Sequence, residues 1–438
     1  MAKPGAGALN FRILSIRRHT RSGAIYNADH ALNWRAHAKG AYPVKIDSAS
    51  FAGTDPTAAT VRPGACRAPE PRDIMFSFFV SFVCSALLTL LVIKQAKLHG
   101  PALDTDFTGV QRAHSHLVAR IGGLPIYLSV VLAAAISIVR QPVLLQLLPL
   151  LLLCAFVAFL GGVLEDYTGA VRPSRRLFLT MAGATLAYFL LDAKIGRIDL
   201  PFGLVILASG WVALPLTVLA IAGIANAVNI IDGFNGLASM VTICMLLSLA
   251  YVALQVGDMF VLITALMVAG ATAGFLIWNY PVGLIFLGDG GAYFIGFMLG
   301  QLALLLVMRN PEVSTWYAAL LLIYPAFETI FSVYRRMFVR GKSPAVPDGI
   351  HLHSLIFRRI VRWTVGKREA RALLQRNART SPYLWLFSLM AVIPATLFWK
   401  NTTVLIVFCL LFVISYVWLY ARIVRFKSPR WLIWRKKD

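Results

Sequence analysis

Three short stretches of this sequence hold carboxylates and amides inside otherwise apolar chain. The first is Gly274 to Gly296, GFLIWNYPVGLIFLGDGGAYFIG, where an apolar run stops at Asn279-Tyr280-Pro281 and resumes after Gly288-Asp289-Gly290-Gly291. The second is Asn226-Ala-Val-Asn229-Ile-Ile-Asp232-Gly-Phe-Asn235-Gly, and the third is Glu165-Asp166 behind Gly161-Gly162. A charged group at a bilayer centre costs about 2.5–3.5 kcal/mol on insertion scales, so a carboxylate at the mouth of an apolar helix calls for a use or a partner. Asp289 between glycines suits a hard divalent cation, which takes oxygen ligands and keeps water and phosphate oxygens in its shell. Mg2+ fits this donor set better than zinc because no cysteine is near. A turn aspartate is the plainer alternative. Asn226, Asn229 and Asp232 recur every three residues and would share one face of a helical turn; loop-ending caps beside glycine are the alternative there. Glu165 and Asp166 repel each other unless positive charge is close. Arg172, Arg175 and Arg176 follow, so an acidic helix end balanced by arginines also accounts for them. His351-Leu-His353, in a basic loop, suits metal, phosphate or plain solvent.

The elements that position these residues are membrane spans. The chain has 438 residues, 58% of them hydrophobic and 14% charged, with a mean hydropathy of +0.72. That composition predicts an all-α, polytopic integral membrane protein. Eleven apolar segments are long enough to cross: 75–93, 121–139, 143–162, 176–192, 203–225, 237–256, 259–278, 291–308, 315–333, 383–399 and 402–420. Residues 1–72 are polar, rich in Ala, Arg and Gly, and read as a disordered or spurious extension, with Met75 a plausible start. Residues 75–422 form the spanning body and 423–438 a basic tail.

The net charge of +23 does not indicate nucleic acid, because Lys and Arg sit between apolar runs with no aromatic-interleaved basic face. Membrane lipid headgroups and phosphorylated substrates are the partners it suits. The five cysteines are far apart and outline no disulfide framework or zinc site. Counted by loop, twenty-six Lys and Arg fall on one side of the eleven spans and five on the other, which predicts a cytoplasmic C-terminus. On that topology Glu165-Asp166, Asn226–Asn235, Asn279–Asp289, the His114–Arg120 stretch and His351–His353 all face the cytoplasm. Carboxylates, amides and histidines took no part in the charge count, so their convergence is independent of it.

Together, HSHLVARIGGLPIY, GGVLEDYTG followed by RPSRRL, NAVNIIDGFNGLA and NYPVGLIFLGDGGAYFIG resemble the polyprenyl-phosphate N-acetylhexosamine-1-phosphate transferases of glycosyltransferase family 4. The likeness runs in order from about Asp106 to Ser354 and is nearer to the WecA type than to the peptidoglycan MraY type. It implies a Mg2+-dependent enzyme, with Mn2+ a substitute, in the bacterial inner membrane. Such an enzyme moves an N-acetylhexosamine-1-phosphate from a UDP-sugar to undecaprenyl phosphate and releases UMP, the first step of a cell-surface polysaccharide; a homodimer is compatible with it. By resemblance, Asp289 and Asn229 hold the metal, and Asp166, Glu165 and Asp232 are the catalytic acids. His351, His353, Arg175, Asn226, Asn235, His114 and Arg120 are candidates for substrate binding. Glu165 stands where the usual pair has Asp, Asn235 where many bacterial members have a second Asp, and Gly349 and Ser354 replace an Arg and a His. The first two changes keep oxygen ligands, whereas the third touches the donor loop and leaves the sugar open.

Two readings from other classes compete. A secondary transporter would show inverted repeats and polar groups near the midplane, but no repeat is found and the polar residues gather at one face. A non-catalytic membrane scaffold would not need Asn229, Asp232 and Asp289 together. Within the enzyme class, the alternative is the phospho-N-acetylmuramoyl-pentapeptide transferase of peptidoglycan synthesis.

Overall fold

The computed structural model describes residues 71–99, 118–200, 203–206, 209–341, 350–361 and 370–425. Thirteen α-helices run in chain order among them. They are α1 (Pro71–His99), α2 (Gly123–Arg140), α3 (Leu148–Thr168), α4 (Pro173–Leu190), α5 (Gly210–Ile231), α6 (Leu237–Val256) and α7 (Met259–Asn279). After these come α8 (Gly288–Arg309), α9 (Thr315–Leu321), α10 (Ile323–Tyr334), α11 (Leu352–Ile356), α12 (Ala370–Leu397) and α13 (Thr402–Val424). One antiparallel hairpin, β1 (Arg197–Leu200) with β2 (Gly203–Ile206), interrupts the helical pattern. Nearly all of the expected extension 1–72 lies outside the described residues, as does most of the basic tail; Pro71 and Arg72 already belong to α1.

The bundle is built around α8. Its residues are buried from Gly288 through Val307, and it packs against α2, α3, α5, α6, α7 and α9. A helix apolar on every side is stable only when other helices cover it, and glycines let them come near. A Cβ added at Gly296 would lie 2.8 Å from the Cα of Ala225 in α5, and one at Gly162 of α3 would lie 2.5 Å from the carbonyl carbon of Asp289. The other close pairing is α1 on α7. Ser77, Ser81, Ser85 and Thr89, all buried, recur every four residues and form one stripe of α1. Opposite them, a Cβ at Gly270 would meet Ser81 Oγ at 2.5 Å, and one at Gly274 would meet the Ala86 nitrogen at 2.9 Å. Small residues facing small residues are the usual basis of helix association in lipid, where burial of apolar surface gives no drive between helices. Phe79, Val83, Leu87 and Leu91, on the opposite face of α1, are exposed, as a lipid-facing stripe requires.

Nine of the described helices are long and apolar enough to cross a membrane. A tenth crossing is added if Thr315–Leu321 and Ile323–Val339, which meet at a 69° bend, count as one. The eleventh expected segment, 176–192, overlaps α4, which is not among the nine because Arg175 and Arg176 lie in its first turn. The count of eleven is therefore not fixed by length and composition.

At the end of the bundle where α8 finishes, Arg197 donates to the carbonyls of Val307, Pro311 and Val313 at 3.0, 2.8 and 2.6 Å. It thus satisfies carbonyls that the end of a helix leaves without partners. Asp199 accepts the Thr315 N–H at 2.7 Å. The chemistry-bearing residues lie at the opposite end of α8.

Candidate active site

Asp289 opens α8, in its first turn rather than in a free loop. The turn before it is gripped on three sides, two of them by backbone. Gly122 N–H donates to the Phe286 carbonyl at 3.0 Å, and Phe286 N–H to the Ala119 carbonyl at 2.8 Å. Gly288 has φ +75° with the Arg120 carbonyl against it, so only glycine fits there. Asp166 closes the third side: its two carboxylate oxygens accept the N–H groups of Asp289 and Gly290, each at 2.8 Å. This carboxylate meets the two leading donors of a helix N-terminus, where negative charge is favoured.

Glu165 and Asp166 lie in the last turn of α3, not in a loop, and their adjacency sends them to different tasks. Asp166 lies four residues beyond buried Gly162, on the face against α8. Glu165 Oε2 accepts the Val171 N–H at 2.7 Å and holds the turn that leads into α4.

Around the Asp289 carboxylate, Asn229 Nδ2 donates to Oδ1 at 3.0 Å, and the guanidinium of Arg176 is in ion-pair contact with Oδ2. Tyr293 OH donates to Asn226 Oδ1 at 3.1 Å. Asp232 caps the C-terminal end of α5. Burial pushes its carboxyl up to about 7, against the lowering effect of the Arg120 guanidinium. Arg120 also acts electrostatically on Asp166. Asp166, Asn226, Asn229, Asp232, Asp289 and Arg120 thus gather at one end of the bundle. His353 joins them, since a Cβ at Gly233, next to Asp232, would lie 3.1 Å from its Nε2. His351 stacks on His353 with ring centroids 5.2 Å apart.

Three other candidates fall elsewhere. Arg175 is exposed, and Arg176 beside it makes the contact with Asp289. Asn235 is buried and acts as a fastener: its N–H donates to Asn377 Oδ1 at 2.8 Å, its Nδ2 to the Pro281 carbonyl at 3.2 Å, and its carbonyl accepts from Ser381 Oγ at 2.6 Å. His114 lies outside the described residues. Asn279 ties the same turns together, its Oδ1 accepting the Gly236 N–H at 2.6 Å and its Nδ2 donating to the Ile285 carbonyl at 2.8 Å. The residues of this cluster that sequence reading missed are Arg176 and Tyr293. Helical spacing identifies the first, because Arg176 shares a face with the buried Thr180, Gly183, Ala184 and Ala187.

The donor set fits a divalent cation held in part by other ligands. Among the described residues no three His, Cys, Asp or Glu side chains make a complete cage. Asp289 and the oxygen of the Asn229 amide are hard donors, and the Arg176 contact marks Asp289 as a place where positive charge is held. Mg2+ commonly sits in such open sites, with water and phosphate oxygens completing its shell.

Acids and amides beside a histidine pair gather at one end of a polytopic bundle, the arrangement of a membrane protein with a polar candidate site at one face. Residues 148–307 match the profile of glycosyl transferase family 4. The chain is 30% identical over 285 residues to a probable undecaprenyl-phosphate N-acetylglucosaminyl 1-phosphate transferase of Bacillus subtilis, spanning 64% of this chain and 77% of that one. It is 26% identical over 289 residues to an undecaprenyl-phosphate alpha-N-acetylglucosaminyl 1-phosphate transferase of Thermotoga maritima, covering 66% and 82% of the two chains. With a phospho-N-acetylmuramoyl-pentapeptide-transferase of Clostridium botulinum the identity is 33% over 194 residues, but only 43% and 60% are covered. The chain belongs to glycosyl transferase family 4.

Proposed function

We propose that this protein transfers an N-acetylhexosamine-1-phosphate, N-acetylglucosamine-1-phosphate in the first instance, from its UDP-sugar to undecaprenyl phosphate at the cytoplasmic face of a bacterial inner membrane. The observation that carries this reading is the meeting of Asp289, Asn229, Asp232, Arg120 and Arg176 at the N-terminus of α8. The names of the two more fully covered relatives support undecaprenyl phosphate as the acceptor and N-acetylglucosamine-1-phosphate as the transferred group. An oxygen of the lipid phosphate attacks the sugar-linked phosphorus. The bond from that phosphorus to the bridging oxygen of the diphosphate breaks, UMP leaves, and the product is an undecaprenyl diphosphate sugar.

Phosphoryl transfer of this kind asks a protein for positioning and charge neutralisation more than for covalent work. Arg176 and Arg120 supply fixed positive charge for the diphosphate and the attacking phosphate. Asp232, with its carboxyl near neutral, accepts the residual proton of the lipid phosphate. Asp166 keeps the Asp289 turn rigid, and His351 and His353 contact the donor's phosphates. Asp289 and Asn229 would hold Mg2+, which when bound neutralises developing phosphate charge.

The test is lipid-dependent release of labelled UMP from UDP-N-acetylglucosamine by membranes carrying the protein, with wild type and Asp289→Ala run side by side. UMP that vanishes with EDTA and in the variant is the expected result. Signal only with UDP-N-acetylmuramoyl-pentapeptide would move the assignment to the peptidoglycan-type reaction, which the Clostridium relative favours. Silence with every UDP-sugar, in folded protein, would overturn the transferase reading.

A further inference from the structure

Glu328 lies on α10, in the bent helix pair that is long and apolar enough to cross only when taken together, and is 1% exposed. A carboxylate in that setting is costly and its retention points to a task. Three donors converge on it. Oε1 accepts from His351 Nδ1 at 3.1 Å and from the Leu352 N–H at 3.0 Å, and Oε2 accepts from Tyr416 OH of α13 at 2.8 Å. The ring of His351 and the first peptide of α11 are thus fixed to one oxygen atom. Arg335 adds a second hold on the same strand of chain, donating to the Ile350 carbonyl at 2.6 Å. From His351 the order passes by parallel stacking to His353 and from there to Gly233, next to Asp232.

We propose that Glu328 is a positioning residue for the UDP-sugar site: it orients the His351 ring through Nδ1, so that His351 and His353 present their Nε2 atoms toward the donor's phosphates. The proposal rests on the transferase reading and adds to it a residue that touches neither substrate. When one ring nitrogen of a histidine is held, the role of the other is set by that bond. A positioning partner of this kind is felt in substrate affinity, whereas a purely structural carboxylate would lower the amount of folded protein and all kinetic constants alike.

The experiment compares Glu328→Leu, Glu328→Gln and Tyr416→Phe in the full chain, each alone and with His351→Ala. Glu328→Leu removes the acceptor, and about a tenfold rise in the donor KM with kcat changed by less than about threefold is expected, the signature of lost ground-state binding. Glu328→Gln keeps an acceptor oxygen for the ring and the peptide N–H, and should restore the donor KM to within about threefold of wild type. In the His351→Ala background, Glu328→Leu and Tyr416→Phe should each add less than about twofold, since residues acting through one another are not additive. Full additivity, or equal damage to kcat and to the KM of both substrates, would overturn the proposal. If Glu328→Leu does not fold, Tyr416→Phe alone and in the His351→Ala background gives the same decision. Wild-type protein releasing no UMP would count against the transferase reading, not against the clamp. In that case nitrogen NMR of the histidine rings decides it: an Nδ1 proton on His351 that survives Glu328→Gln supports the clamp, and its absence in wild type refutes it.

Discussion

At the scale of single residues, the site turns on which of two neighbours faces it. Arg175 and Arg176 are adjacent, but a helix turns about 100° per residue, so only one of them can lie against α8. Arg176 is that one and touches Asp289, while Arg175 points away from the bundle. Removing a preorganised donor to developing phosphate charge costs about 100- to 1,000-fold in turnover. Arg176→Ala should therefore lose about 100-fold in kcat/KM in the UMP-release assay, while Arg175→Ala should stay within about threefold. Equal losses in the two variants would mean that the contact with Asp289 has no part in the reaction. Asp232→Asn keeps the shape of the site and removes proton acceptance, so kcat should fall by about 100-fold with the donor KM little changed. Sequence reading took Arg175 and missed Arg176, although the helical period that sets Arg176 on one face with Thr180, Gly183 and Ala187 could have marked it; the three-residue spacing did mark Asn229 and Asp232. Glu328 was not legible, because its partners His351 and Tyr416 lie 23 and 88 residues away and no local pattern links them. Asn235 was legible as polar but not as a fastener, since Asn377, which its N–H meets, is 142 residues away.

At the scale of elements, catalytic geometry depends on helices coming closer than ordinary side chains permit. The α1–α7 contact has the hydroxyl stripe Ser77, Ser81, Ser85 and Thr89 on one side and Gly270 and Gly274 on the other. A side chain at either glycine must push a backbone aside, and forcing bulk into a packed interface costs about 1–3 kcal/mol. Gly274→Leu should lower the midpoint of thermal unfolding in detergent, while Phe79→Ala on the exposed face of α1 should leave it unchanged. The opposite order would refute the small-residue interface. A four-residue repeat of Ser and Thr could be read from the sequence, but which helix it meets could not. The same holds for α12. Its Asn377 and Ser381 bind the turn at Asn235, and Trp385 Nε1 donates to the Gly236 carbonyl at 3.1 Å. These contacts lie beyond residues 148–307, the part that matches the family profile. Ser381→Ala deletes one bond to the turn that carries Asp232, and kcat should fall by about three- to tenfold with folding retained. An unchanged kcat would show that α12 supports the bundle but not the catalytic turn.

At the scale of the whole molecule, the path of the chain decides what composition does not. α3 ends at the Asp289 turn through Asp166, and α5 ends at the same place through Asn229. Both are long and apolar enough to cross. Between them the chain reaches β1, whose Arg197 and Asp199 are bonded at the far end of α8 and the start of α9. The connection from α3 to β1 must therefore run the length of the bundle, and α4 is the helix that does so. Its two arginines lower its hydropathy, but they sit in its first turn, where Arg175 reaches water at little cost and Arg176 is paired with Asp289. With the bent pair α9 and α10 counted once, this path predicts eleven crossings, with the candidate active site on the same side as the end of α13. The prediction is tested with single cysteines in a cysteine-free chain, labelled in intact cells by a maleimide that does not cross membranes. Gly196→Cys, at the far end, should react in intact cells, whereas Val171→Cys, beside the active site, should react only after the cells are opened. A cysteine at the end of α13 should follow Val171→Cys. If Gly196→Cys and Val171→Cys react on the same side, α4 does not cross. The lysine and arginine count would then assign the two faces on the wrong number of spans.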